Sequence, residues 1–388
     1  ARPLLNPDLA LMLMSATLDL SDLRERLPEA TVLESPGRCY PVETHHQAPR
    51  PDEPLPRQVL RAIEHHALEQ PQGSGVLVFL PGLAEIERCR QTLTEAAALQ
   101  NWRIQVLHGQ LPLQQQSSAL QRCDPNQDGS IILASAIAES SLTIDGVRLV
   151  IDSGLSRQLR YDPNTQMEGL ETTASSLASA EQRKGRAGRQ CPGSCIRLWS
   201  PAEQQRRPRF HPPELLLADP QPVLMELAQW GAGLGEELPW LDPPPAAAMQ
   251  EGQRGLQQLG LLEEDGRISG RGRLISGLSV HPRIGMLLLE AHERGSPQLG
   301  CDLAAILSER DPFDTRQIGS DLEVRLSGIQ RHHSLRALSQ QLRRQLKRLG
   351  PSPQDKGSSV NAGDLILAAF PEWLAQQRPD QTGRYQLR

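Results

Sequence analysis

Apolar residues fall along the chain in short unbroken runs, separated by mixed stretches of helical period. Residues 75–80 (GVLVFL) and 131–133 are such runs, and 104–107, 148–151 and 194–198, each mainly apolar, read as further strands. Continuous apolar runs this short suit strands covered on both faces. Helical patterns lie between them, at 84–98 and in a Gln-rich stretch after Pro112. Strands alternating with helices over 56–200 predict an α/β lobe with a parallel sheet and right-handed crossovers. Residues 9–14 (LALMLM) predict a further buried strand, ending in Ser15-Ala16-Thr17. Residues 157–173 suit a β-hairpin, with Asp162-Pro163-Asn164 as turn material.

Past residue 204 the pattern changes. Prolines at 208, 212, 213, 220, 222 and 239 punctuate short helices, and Pro243-Pro244-Pro245 is a rigid break. A helix follows at 246–258, then a tight hairpin at 261–268 on Asp265-Gly266. Helices followed by such a ribbon suggest a winged helix over 204–280. From Pro282 the chain reads as helical, with helices at 302–309 and 320–349. The last carries Leu322, Leu326, Leu335, Leu338, Leu342, Leu346 and Leu349 near helical period, interleaved with arginines. Residues 350–361 form a Pro/Ser/Gly linker.

Composition narrows the picture. A chain of 388 residues holds several domains. No apolar run approaches the ~18 residues of a membrane span, and Arg2-Pro3-Leu4-Leu5 does not begin a signal peptide. The six cysteines are too scattered for a disulfide framework, so a reducing, cytoplasmic home is expected. The net charge of −5 gives no global attraction to nucleic acid, so any such contact rests on local basic tracts at 157–160, 183–189 and 325–348. Aromatics make up 3% of the chain, which sets base stacking aside as the main device. No metal site is expected. Cys191 and Cys195 lack a second ligand pair, Glu64-His65-His66 lacks a spaced partner, and the calcium-loop-like 124–129 has Ser135 where a bidentate glutamate belongs.

The candidate chemistry centres on Gln182-Arg183-Lys184-Gly185-Arg186-Ala187-Gly188-Arg189. If helical, a spacing of three turns successive arginines only about 60° around the axis, so the three guanidinium groups lean toward one target. Two glycines within a helix cost roughly 1 kcal/mol each and are useful where a backbone or ligand comes close. Guanidinium forks match phosphate oxygens. The row is therefore expected to face a nucleotide phosphate at the carboxyl edge of the sheet; a basic surface helix is the plainer alternative.

The octet resembles motif VI (Q-R-x-G-R-x-G-R) of superfamily 2 helicases of the DEAH/RHA group. Residues 135–146 (SAIAESSLTIDG) resemble motif V, and Ser15-Ala16-Thr17 resembles motif III. Phrases such as Pro239-Trp240-Leu241-Asp242-Pro243-Pro244 point to the bacterial HrpB type. The resemblance implies an ATP-dependent RNA helicase using ATP with Mg²⁺. Gln182, Arg186 and Arg189 would be catalytic arginine-finger residues and their neighbour. Ser141, Asp145, Gly185 and Arg183 would line the nucleotide, Ser15 and Thr17 would couple the lobes, and Ser135, Gly82, Gly109 and Gln110 would touch the RNA backbone. It also implies five parts: 1–40, the end of a first RecA-like lobe; 41–203, the second RecA-like lobe; 204–280, a winged helix; 281–350, a ratchet-like helical domain; and 351–388, a linker and the start of a C-terminal extension. Ala136 stands where the family has asparagine.

A phosphate-cradling loop ends in Gly-Lys, and the chain has no Gly-Lys dipeptide. Asp52-Glu53 imitates a catalytic acidic pair within a proline-flanked linker. Those parts are expected on a first lobe preceding this sequence, without which the chain would turn over no ATP. A non-catalytic binding module on a degenerate lobe stays open beside this reading.

Overall fold

The computed structural model describes residues 10, 12–14, 23–25, 27–33, 40–68, 70–121, 127–139, 144–163, 166–309, 311–313, 318–319, 321–350, 360–378 and 385–387. They form two compact units: one of residues up to 158 together with 170–212, the other of 159–169 and the chain from 213 onward.

The first unit is an α/β lobe. Its strands are β1 (Val42–His46), β2 (Ser74–Phe79), β3 (Trp102–Leu107), β4 (Gly129–Ala134), β5 (Val147–Asp152) and β8 (Gly193–Arg197). They form one sheet in the order β1-β8-β5-β2-β4-β3, every pair parallel. All six residues of β2 and of β4 are buried, as their unbroken apolar runs require. Alternation along β2 sends Val76 and Val78 to one face, where α1 (Leu55–His66) and α2 (Leu83–Thr94) pack, and Leu77 and Phe79 to the other. The second face is covered by Ala119 of α3 (Leu113–Ala119), by Ala138 and by Ala187. Ala187 anchors the middle of the arginine-rich octet to the sheet.

The chain between β5 and β8 forms the expected hairpin, β6 (Leu155–Asp162) with β7 (Met167–Ala174), followed by α4 (Leu177–Lys184). Its turn is closed by the Gln166 N–H donating to the Asp162 carbonyl at 2.8 Å. The lobe continues nine residues beyond the expected boundary at 203, to 212. Arg207 accounts for this extension, donating to the Gly154 carbonyl at 2.7 Å and the Ser175 carbonyl at 3.0 Å and lying 4.0 Å over the Trp199 ring. The backbone N–H groups of Leu177 and Ala178 donate to the Pro208 and Arg209 carbonyls.

The expected strand at 9–14 is not seen in the described part of that segment. Residues 12–14 carry no strand, and Met12 and Met14 are 78% and 82% exposed. A strand needs a ladder partner, and no described strand pairs with this run. Ser15 and Thr17 lie outside the described residues, as does most of 1–40.

The second unit is mainly helical: α6 (Gln221–Trp230), α7 (Ala246–Gln258), α8 (Gly270–Ser276), α9 (Pro282–Glu293), α10 (Pro297–Ser308), α11 (Leu322–Gly328), α12 (His333–Leu346) and α13 (Ala362–Ala369). (The short α5, Pro201–Arg206, belongs to the lobe.) The ribbon expected at 261–268 is present as a single antiparallel bridge, Leu262 to Ile268, turning at Gly266. The long helix expected over 320–349 is instead broken between α11 and α12 by a 3-10 turn, Ile329–Arg331. There the Phe313 ring packs against the Cα of Gly328, and Ile329 is buried. One hydrophobic core runs from Leu224 through Leu287 and Leu342 to Phe370, across the divisions expected at 281 and 351. Helix α13 packs into it through Leu365 and Ala369.

Candidate nucleotide and nucleic-acid site

Two sets of predicted residues gather on different parts of the lobe. Gly82 follows β2 and opens α2, Gly109 and Gln110 follow β3, and Ser135 follows β4. Because β2, β4 and β3 are neighbours, these three loops are contiguous along the carboxyl edge, where parallel α/β sheets bind ligands. Hydrogen bonds hold that edge: Ser135 N–H donates to the Leu107 carbonyl at 3.2 Å, and Gln110 N–H to His108 Nδ1 at 3.2 Å. Beyond Ser135 the described chain makes a single 3-10 turn, Ala136–Ala138. Ser141 lies outside the described residues.

The octet takes a different course. Ser176 caps α4, accepting from the Ser179 N–H at 3.2 Å. The helix ends at Lys184, and 185–188 form turns. Helical spacing therefore does not govern all three arginines, and they do not share one target. The Arg183 side chain is 1% exposed and points into the lobe. Its Nε donates to Glu139 Oε1 at 2.7 Å, its Nη1 to Asp152 Oδ1 at 2.7 Å and the Leu155 carbonyl at 3.1 Å, and its Nη2 to Ser156 Oγ at 2.9 Å. Its carbon lies 5.2 Å from the Phe79 ring centre. The nearby carboxylates raise its pKa against the opposing effect of burial. This corrects the expected nucleotide contact: Arg183 binds motif V to the sheet from inside.

Arg186 is also buried, at 4%, and donates through Nη2 to the Glu139 carbonyl. Burial, then the charge of Arg189, bring its pKa down to about 10, partly offset by Glu139. Arg189 is exposed, and Gln182 is half-buried on α4. The Arg189 charge thus stands close enough to disfavour that of Arg186, an effect that an anion relieves.

Only the end of the octet departs from the expected edge. Gly188 accepts from the Tyr40 N–H at 2.9 Å just before β1, and Gly193 N–H donates to the Pro41 carbonyl. Gln190 Nε2 donates to Asp145 Oδ1 at 2.6 Å, while its Oε1 accepts from the Gly146 N–H at 2.8 Å, immediately before β5. The end of the octet and Asp145 therefore meet at the amino edge, because a crossover helix returns the chain to where the next parallel strand starts. Of the two glycines, only Gly188 is required by close approach: a Cβ there would lie 2.6 Å from the Tyr40 carbonyl oxygen. At Gly185 the nearest atoms are at 3.5 Å.

Three residues escaped the sequence reading. Glu139 was visible in motif V without a role, yet its carboxylate accepts from Arg183 and from Ser179 Oγ at 2.9 Å. Asp152 was marked only by acidity at the end of an apolar strand. Gln190 follows the motif and gave no signal. Among the described residues, no group of three or more His, Cys, Asp or Glu side chains could hold a metal ion, and no helix is long and apolar enough to cross a membrane.

Comparison with known proteins gives a family context. The helicase conserved C-terminal domain matches residues 58–191. The ATP-dependent RNA helicase HrpB of Escherichia coli is 38% identical over 99% of this chain and 45% of its own length. The ATP-dependent RNA helicase HrpA of the same organism is 32% identical over 79% of this chain and 24% of its own. The crystal structure of the Escherichia coli DEAH/RHA helicase HrpB superposes with a TM-score of 0.87 at 35% identity, covering all of this chain and 47% of that one. The chain thus spans less than half the length of either relative. The parallel sheet, the 135–146 and 182–189 segments brought together through Glu139, and these matches make the chain similar to a part of the DEAH/RHA helicase HrpB.

Proposed function

We propose that the chain forms the C-terminal part of an ATP-dependent RNA helicase, supplying arginines to the nucleotide and a track for the RNA backbone. The observation that carries this is the Arg186–Arg189 pair, one buried and one exposed, crowded beside motif V. Positive charge fixed in advance stabilises charge developing on a transferring phosphoryl group. Such arginines are worth about 10³–10⁵ in rate. Gln182 and Gly185 lie on the same stretch, and Asp145 is tied to its end through Gln190. The phosphate-cradling loop and the Mg²⁺ ligands belong to a partner lobe outside this chain, so the chain alone turns over no ATP. Ser15, Thr17 and Ser141 would take part through segments outside the described residues.

RNA runs along the carboxyl edge, at Gly82, Gly109, Gln110 and Ser135. Contacts to the RNA backbone rather than to bases make binding salt-sensitive. Residues 204–280 and 281–350 act as the winged-helix and ratchet-like portions within their shared core, and the protein works in the cytoplasm. The names of the relatives, both ATP-dependent RNA helicases, support ATP and RNA as partners.

The test is Arg186→Ala in the complete protein. RNA-stimulated ATP turnover is expected to fall by about 10³ or more, with RNA affinity within about twofold of wild type. Unchanged turnover would refute the assignment.

A further inference from the structure

We infer that Gln190 is a positioning residue that sets the place of Arg189 by clamping it to the turn at Asp145–Gly146. The inference rests on the reading of Arg189 as a nucleotide-facing arginine. Gln190 is the next residue in the chain, and its amide makes two hydrogen bonds across 44 and 45 residues of sequence: Nε2 to Asp145 Oδ1 at 2.6 Å, and Oε1 from the Gly146 N–H at 2.8 Å. An amide is suited to this place because it presents one donor and one acceptor side by side. Glutamate has no donor for Asp145 and would repel it; alanine reaches neither group.

The clamp acts where the turn has least other support. Before it, Ala187 is buried on the sheet and Gly188 is hydrogen-bonded to Tyr40. After it, Gly193 is held by Pro41. Arg189 itself is exposed, and its backbone runs directly into the clamped residue. The same amide fixes Asp145, a second expected nucleotide neighbour, and so couples the ends of motifs V and VI. Both hydrogen bonds are solvent-exposed, so their loss costs the fold little. A group that meets the phosphate only as charge develops is sensitive to misplacement, and about 1 Å can cost ~100-fold.

The experiment is a double-mutant cycle in the complete protein, reading ATP turnover, KM for ATP, RNA affinity and melting temperature. Gln190→Ala is expected to lower kcat by about tenfold and Gln190→Glu by more. KM and RNA affinity should stay within about twofold, as for a group acting on the transition state. In an Arg189→Ala background the Gln190→Ala loss should shrink to what Asp145 contributes, because Gln190 and Arg189 act as a unit. An unchanged kcat, a loss that persists undiminished without Arg189, or a loss in RNA affinity instead of kcat would overturn the positioning role. If Arg189→Ala alone leaves turnover intact, the arginine reading fails first and the positioning role with it; if Arg189→Ala abolishes turnover while both Gln190 variants match wild type, only the positioning role fails.

Discussion

The two halves of the octet, 182–185 and 186–189, each carry arginine and glycine, yet their arginines have opposite surroundings. In the first half Arg183 is sealed inside the lobe against Asp152 and Glu139. In the second half Arg186 meets a neutral carbonyl and Arg189 stands exposed beside it. The difference follows from what each guanidinium meets. A buried charge flanked by carboxylates is already compensated and is needed where it is. A buried charge crowded by another cation gains most from an incoming anion. Spacing therefore does not set where an arginine points, while the carboxylates around Arg183 draw it inward.

The largest expected effect separates the halves by stability. Arg183→Ala would leave the Asp152 and Glu139 carboxylates facing each other without their cation. We expect a loss of about 3–5 kcal/mol in lobe stability, the range for breaking a buried pair, measured by urea denaturation. Arg189→Ala should change stability by less than about 0.5 kcal/mol, as at other exposed positions. Equal losses would erase the distinction.

A smaller effect sharpens the comparison through the glycines. Gly188→Ala forces a Cβ to within 2.6 Å of a backbone carbonyl and 2.7 Å of Val42 Cγ2. It should cost about 1–3 kcal/mol, as overpacking does. Gly185 has an ordinary right-handed backbone, φ −58, and room for a methyl group. Gly185→Ala should be neutral or gain about 0.4–1 kcal/mol; thermal melts of the two variants test the contrast.

The smallest effect concerns the entry to the first half. His211 Nε2 accepts from the Ser176 N–H at 3.2 Å at the start of α4, and its other ring nitrogen pairs with Gln158. Burial lowers its pKa below 6.5, as does Arg183, against an opposing pull from Glu139. A histidine depressed in the fold binds fewer protons there than in the unfolded chain. Its stability contribution is intact above about pH 6.5 and declines as pH falls through that value toward the folded pKa. Stability should therefore drop modestly between pH 7.5 and 5.5, and His211→Gln should flatten that slope in urea titrations at the two pH values.

Much of the lobe was legible because its signals are local. Unbroken apolar runs at β2 and β4 are what a doubly covered strand needs, and α7 begins and ends where its pattern does. The run at 9–14 has the same pattern, yet 12–14 stand exposed, because a strand is completed by its neighbours. The break after α11 was likewise invisible: the leucine period continues across it, and the distant Phe313 ring marks the place.

By itself, the sequence determined that an α/β lobe with a parallel sheet stands here and which loops follow its strands. Those features depend on periodicity, turn chemistry and residue type over a few neighbours. Tertiary structure alone decided that Arg183 turns inward, that Arg186 and Arg189 crowd each other, and that Gln190 joins Asp145 at the amino edge. Each of these rests on groups tens of residues apart, brought together by the crossover of a helix between parallel strands. Burial and the nearest charge, rather than identity, then set what each arginine can bind.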